Sequence, residues 1–147
     1  MVGGFIGSLF ALPSIAYLIS PVFDGRQDDA WIDLGQLDGY PVRVPSLLEF
    51  TRTRVYGWER TAVSHAVFVV RLDAASVRVF SSICTHLGCH VNWHPDVQHY
   101  NSPCHDGHFD VMGGNVSGPP PRPLDEFATR LEGGNLLVQL PPFKRAS

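Results

Sequence analysis

The residues of this chain best suited to chemistry are its three cysteines and seven histidines, and most of them are gathered in one place. Cys84-Thr85-His86-Leu87-Gly88-Cys89 forms one run, and Ser102-Pro103-Cys104-His105-Asp106-Gly107-His108 forms a second. All the cysteines lie in these runs, with His86, His105 and His108; His90 follows directly after the first. Two ligand-rich loops with a spacer between them suit a metal centre held between two hairpin tips. Mixed thiol and imidazole donors narrow the metal to an iron–sulfur cluster or zinc. Cys84 and His86 alternate on one loop, so both can reach a single centre. His90, His94, His99 and His108 read as ordinary surface histidines.

The elements that must position these loops read as β-structure. Val42, Val44 and Phe50 to Tyr56 alternate apolar with polar residues. Ala62 to Leu72 is richer in Val and Phe and suits a central strand, and Val77 to Ile83 delivers the chain to Cys84. His108 to Val111 reads as a short strand with a turn at Gly113-Gly114-Asn115. Phe127 to Leu131 and Leu136 to Leu140 flank Glu132-Gly133-Gly134-Asn135 and predict a hairpin. Many short strands with Gly and Pro turns predict an all-β antiparallel sandwich or barrel. Ahead of it, Met1 to Phe23 carries no charge, and as a helix rising about 1.5 Å per residue it is long enough to cross a roughly 30 Å hydrocarbon layer. Residues 1–23 are thus expected to be one transmembrane helix, with a cleaved signal peptide as the rival; neither a basic start nor a clear cleavage site supports the rival. Residues 24–40, polar and broken by Gly25, Gly35 and Gly39, are expected to be a linker, and 41–147 the folded domain.

Bulk composition agrees. Of the 147 residues, 17% are charged and 44% hydrophobic, which fits one soluble domain with one membrane segment. A net charge of −3 gives nucleic-acid binding no electrostatic support. An odd cysteine count divides most simply into one disulfide and one free or liganding thiol. A disulfide would place the domain outside the reducing cytoplasm.

The two runs resemble the cluster-binding boxes of Rieske iron–sulfur proteins, most closely those of cytochrome bc-type quinol oxidoreductases. Gly118-Pro119-Pro120-Pro121-Arg122-Pro123-Leu124 resembles the proline loop that covers the cluster in that family. The resemblance implies a Rieske-type β fold whose metal-binding subdomain covers about residues 83–124, and a [2Fe-2S] cofactor. It implies Cys84, His86 and His105 as iron ligands and a Cys89–Cys104 disulfide. The remaining ligand position, Cys in the family, is Ser102 here. A serine alkoxide binds ferric iron but is a harder and more basic donor than thiolate. That departure opens a second expectation, a cluster-free Rieske-like structural subunit. A third is a Cys₂His₂ zinc set of Cys84, His86 and Cys104 with His105 or His108.

The resemblance also implies roles. His105, and His86 with it, would accept a hydrogen bond from quinol and take its proton. Leu87, with Pro119 and Pro120, would form an apolar surface for the quinol pocket. Gly107 and Phe109 stand where high-potential members carry hydroxyl donors to the cluster, so a lower potential and menaquinol rather than ubiquinol are implied. Cytochrome b and a c-type cytochrome would be the partners, in a dimeric complex. The chain would cross the bacterial cytoplasmic membrane once, with its domain on the extracytoplasmic side.

Overall fold

A computed structural model describes residues 13–17, 31–56 and 59–140. Residues 13–17 are helical. Among the described residues no helix is long and apolar enough to cross a membrane. The rest of the expected anchor, and residues 24–30 of the expected linker, lie outside the described residues. The chain divides into two compact units, one of residues 29–50 and 64–147, the other of residues 1–28 and 51–63. The described parts of the second unit are the 13–17 helical turn and strand residues from 51–56 and 59–63.

Among the described residues ten strands run in order: β1 (Trp31–Gln36), β2 (Ser46–Tyr56), β3 (Glu59–Arg71), β4 (Val77–Ser81), β5 (Asn92–His94), β6 (His99–Ser102), β7 (Gly107–Asp110), β8 (Asn115–Ser117), β9 (Glu126–Glu132) and β10 (Asn135–Gln139). They build a six-stranded sheet of order β1-β10-β9-β4-β3-β2 and a four-stranded sheet of order β5-β6-β7-β8. The expected all-β antiparallel architecture is therefore present. The smaller sheet carries the second metal-type run across its β6–β7 turn.

Alternation along β3 and β4 explains how one wall serves two cores. Phe68, Val70 and Phe80 face a cluster with Cys84, Val91, Tyr100, Phe109 and Leu124. Val67, Val69 and Val79 face the opposite cluster with Leu34, Leu136, Val138 and Leu140. A strand buried on both faces must be apolar at every position, which is why Val67 to Val70 reads as an unbroken run. Each fully buried side chain of this kind contributes roughly 1.5–3 kcal/mol of transfer free energy. The first cluster lies directly under the first metal-type loop, because Cys84 is itself a member.

The β9–β10 hairpin forms as expected, with Glu132 opposite Asn135 and positive φ at Gly133 and Gly134 (58° and 87°). Both values are what a tight primed turn requires. Four stretches differ from expectation. Residues 31–36, placed in the linker by their polar and glycine content, are strand β1 on β10, with Leu34 buried. Asp33 accepts the Gly35 N–H (2.7 Å), and the register shifts between Asp33 and Gln36, so an irregular strand looks like a loop in sequence. Val42 makes only an isolated bridge to Arg71, because Pro41 and Pro45 flank a left-handed Arg43 (φ 60°). Strands β5 and β6 were hidden by their polarity.

Candidate metal centre

The first loop is a tight tip. Cys84 N–H donates to the Cys89 carbonyl (2.7 Å) and Gly88 N–H to the Cys84 carbonyl (3.1 Å), while Ile83 bridges His90 at its base. Gly88 has φ 81°, a conformation that favours glycine. His86 and Leu87 are thereby carried to the apex, and Leu87 is 68% exposed. The second loop is the four-residue turn between β6 and β7, closed by the pair Ser102 and Gly107. His105 lies exposed within it. A Cys89–Cys104 disulfide (Cα–Cα 6.5 Å) joins the two loops.

The third wall is the segment from Gly118 to Leu124. Thr85 Oγ1 donates to the Arg122 carbonyl (2.7 Å), and Asn115 Nδ2 donates to the Pro120 carbonyl. Pro120 is buried over Gly107, where an added Cβ would lie 2.6 Å from Pro120 Cγ. Gly118 (φ 91°) admits no side chain either: a Cβ would fall 2.5 Å from the Asp106 carbonyl oxygen. The three loops are thus locked together by a covalent bond, one side-chain hydrogen bond and two glycine contacts.

Within this frame the rings of His86 and His105 lie 4.8 Å apart, edge to face. Cys84 is a free thiol, 4% exposed. His86 Nδ1 is buried without a hydrogen-bond partner. A polar atom left in that state costs roughly 1–3 kcal/mol unless a ligand satisfies it. An unsatisfied ring nitrogen, a second imidazole beside it and a buried thiol fit a His-ligated [2Fe-2S] cluster at three positions. At the fourth, Ser102 is 1% exposed and offers a hydroxyl rather than a thiol.

Cys104 is consumed by the disulfide, so it is not a thiolate ligand, and the Cys₂His₂ zinc set loses a member. His108 turns to Asp106 (Nε2 to Oδ1, 3.0 Å), and His90 Nδ1 pairs with Ser82 Oγ (2.9 Å). Leu87 and Pro119 are exposed, but Pro120 faces inward and cannot join them on an outer surface. Phe109 is fully buried in the same cluster as Cys84. Beside it Tyr100 is fully buried; burial, with the Asp110 carboxylate adding to it, raises its phenol well above the usual range and keeps it protonated. The sequence does not single out Thr85, whose role depends on where a distant loop returns, or Asn115, which ties down Pro120 within its own segment. Nor does it single out Asp106, whose left-handed backbone (φ 51°) turns the second loop.

The Rieske [2Fe-2S] domain profile matches residues 48–128. The menaquinol:cytochrome c reductase iron-sulfur subunit of Bacillus subtilis (strain 168) is 30% identical, covering 93% of this chain and 83% of the relative. The cytochrome b6-f complex iron-sulfur subunit of Chlorobaculum thiosulfatiphilum is 28% identical, covering 94% and 70% respectively. Among solved structures, a chain of a hyperthermophilic respiratory Complex III matches with TM-score 0.50 and 26% identity, over 90% of this chain and 95% of that one. The plasma membrane Rieske protein of Synechocystis PCC 6803 matches with TM-score 0.50 and 26% identity, over 74% and 99%.

Proposed function

This chain belongs to the Rieske iron–sulfur family, and on that premise we propose that it is the electron-carrying subunit of a membrane-bound menaquinol:cytochrome c oxidoreductase. The observation that carries the proposal is the pair His86 and His105, side by side on the two disulfide-joined loops, the first of which also carries the buried free thiol of Cys84. In this reading Cys84, His86 and His105, with Ser102 at the fourth position, would hold the cluster. A bound [2Fe-2S] cluster supplies a one-electron acceptor.

The chain's own residues do the rest. His105, exposed on the second loop, presents a ring nitrogen that accepts the quinol hydroxyl and holds its proton; His86 shares this role at the apex of the first. Exposed Leu87 and Pro119 give the docking contact an apolar rim that excludes water. Gly107 and Phe109 offer no side-chain hydroxyl, which leaves a reduced centre less stabilised and favours a strong reductant such as menaquinol over ubiquinol. The quinol pocket belongs to a cytochrome b subunit, a c-type cytochrome receives the electron, and the complex is dimeric. Residues 1–23 anchor the chain in the bacterial cytoplasmic membrane as one pass, and the residues after them tether the domain on the extracytoplasmic side. The Cys89–Cys104 disulfide supports a compartment outside the reducing cytoplasm.

Ser102 favours a second reading, a cluster-free Rieske scaffold within the same kind of complex. Detergent extraction of membranes holding the tagged chain tests the main proposal. Co-purified b- and c-type haem spectra and menaquinol-driven cytochrome c reduction are expected. Recovery of the chain in the soluble fraction, free of haem proteins, would contradict it.

A further inference from the structure

The outer face of the four-stranded sheet holds a second group of imidazoles, apart from His86 and His105. Trp93, Tyr100 and Phe109 point inward toward the core, so their neighbours point out. His94 on β5 lies opposite His99 on β6, and Asn101 lies opposite His108 on β7. His99 and His108 are therefore diagonal neighbours, and their rings sit 6.4 Å apart at 64°. His94 is exposed, and the other two are half-buried.

Asp106 distinguishes this face from an ordinary polar one. Its Oδ1 lies 3.0 Å from His108 Nε2 and also accepts Asn101 Nδ2 at 3.3 Å. A carboxylate on one ring nitrogen fixes the imidazole's orientation and tautomer, and it leaves the other nitrogen as a free and more basic donor. That is how metal-binding histidines are commonly supported.

We propose that His99 and His108 form a chelating site for a divalent transition-metal ion, with Asp106 orienting His108. Asp106 acts here as a positioning residue. His94 lies directly across from His99 in the strand register and is the candidate third imidazole. Among the described residues no three His, Cys, Asp or Glu side chains already converge on one point, so water or His94 completes the shell. Two imidazoles select zinc, copper or nickel over magnesium or calcium, which take oxygen donors.

The test is calorimetric titration of zinc alone into the purified full chain, carrying whatever cluster it holds. One zinc per chain is expected. His99→Gln and His108→Gln should each weaken it at least about tenfold. Asp106→Asn, which keeps a residue tolerant of positive φ, should weaken it by about tenfold or somewhat more. Histidine ring-nitrogen NMR of the unmutated chain, which needs no variant to fold, should show zinc-dependent shifts at His99 and His108. Unchanged titrations in both Gln variants, or shifts confined to other histidines, would overturn the site, as would an unmutated chain that takes up no zinc.

Discussion

Replacing Cys89 and Cys104 together by alanine tests whether the disulfide is what holds the two metal loops in register. Both must go, because a single replacement leaves a free thiol to compete with Cys84. The bond closes a sequence separation of 15 residues. The chain-entropy account gives about 3 kcal/mol for a loop of about that length. Little packing is lost besides, since Cys104 is exposed and Cys89 half-buried. For a domain of about 107 residues each kcal/mol moves the midpoint by about 4–5 °C, so the double variant should melt about 12–15 °C lower. The assay is a thermal melt with and without dithiothreitol. The unmutated chain should fall to the variant's midpoint under reductant, while the variant itself should not respond. Equal midpoints for both proteins under oxidising conditions would refute the reasoning, since the loops would then be held by Thr85 and the glycine contacts alone.

Three further outcomes follow from the same structure. Gly118→Ala should destabilise by about 2–4 kcal/mol, because a left-handed residue gains a Cβ at 2.5 Å from the Asp106 carbonyl; urea melts measure it. Leu136→Ala, fully buried in the cluster opposite the metal loops, should cost about 2–5 kcal/mol, yet leave the affinity of the tip for its metal unchanged once folded. The Arg78 guanidinium holds the Glu126 carboxyl below its usual range, chiefly by hydrogen bonding. A depressed folded value contributes stability that is present above the unfolded carboxyl range and is lost as pH falls through the folded value. Glu126→Gln should therefore lie below the unmutated protein above the carboxyl range, converge with it in acid, and so show a flatter acid side, measured by denaturant midpoints across pH.

How much of this could be read from the chain depended on residue type and range. The metal loops were legible because Cys and His are scarce and were bunched, and the central strand because Val67 to Val70 is apolar throughout. The Cys89–Cys104 pairing came from family resemblance; spacing alone left Cys104 open as a ligand. Strands β5 and β6 escaped notice because each is short and turns only one aromatic residue, Trp93 or Tyr100, toward the core. β1 reads as linker because Gly35 and the Asp33 turn interrupt its alternation. Nor could sequence separate Pro119 from Pro120: one is exposed and the other roofs Gly107, a difference set by the returning loop. Long-range closure, rather than local propensity, decided each of these.

The central claim is that Cys84, His86, His105 and Ser102 together hold a redox cluster. Electron paramagnetic resonance of the dithionite-reduced protein tests it most directly, with iron and acid-labile sulfide assayed on the same sample. The account predicts the low average g-value of a His-ligated binuclear cluster, with about two irons and two sulfides per chain. Folded protein with no signal and no iron would contradict it and leave a cluster-free scaffold in which Ser102 ends the ligand set.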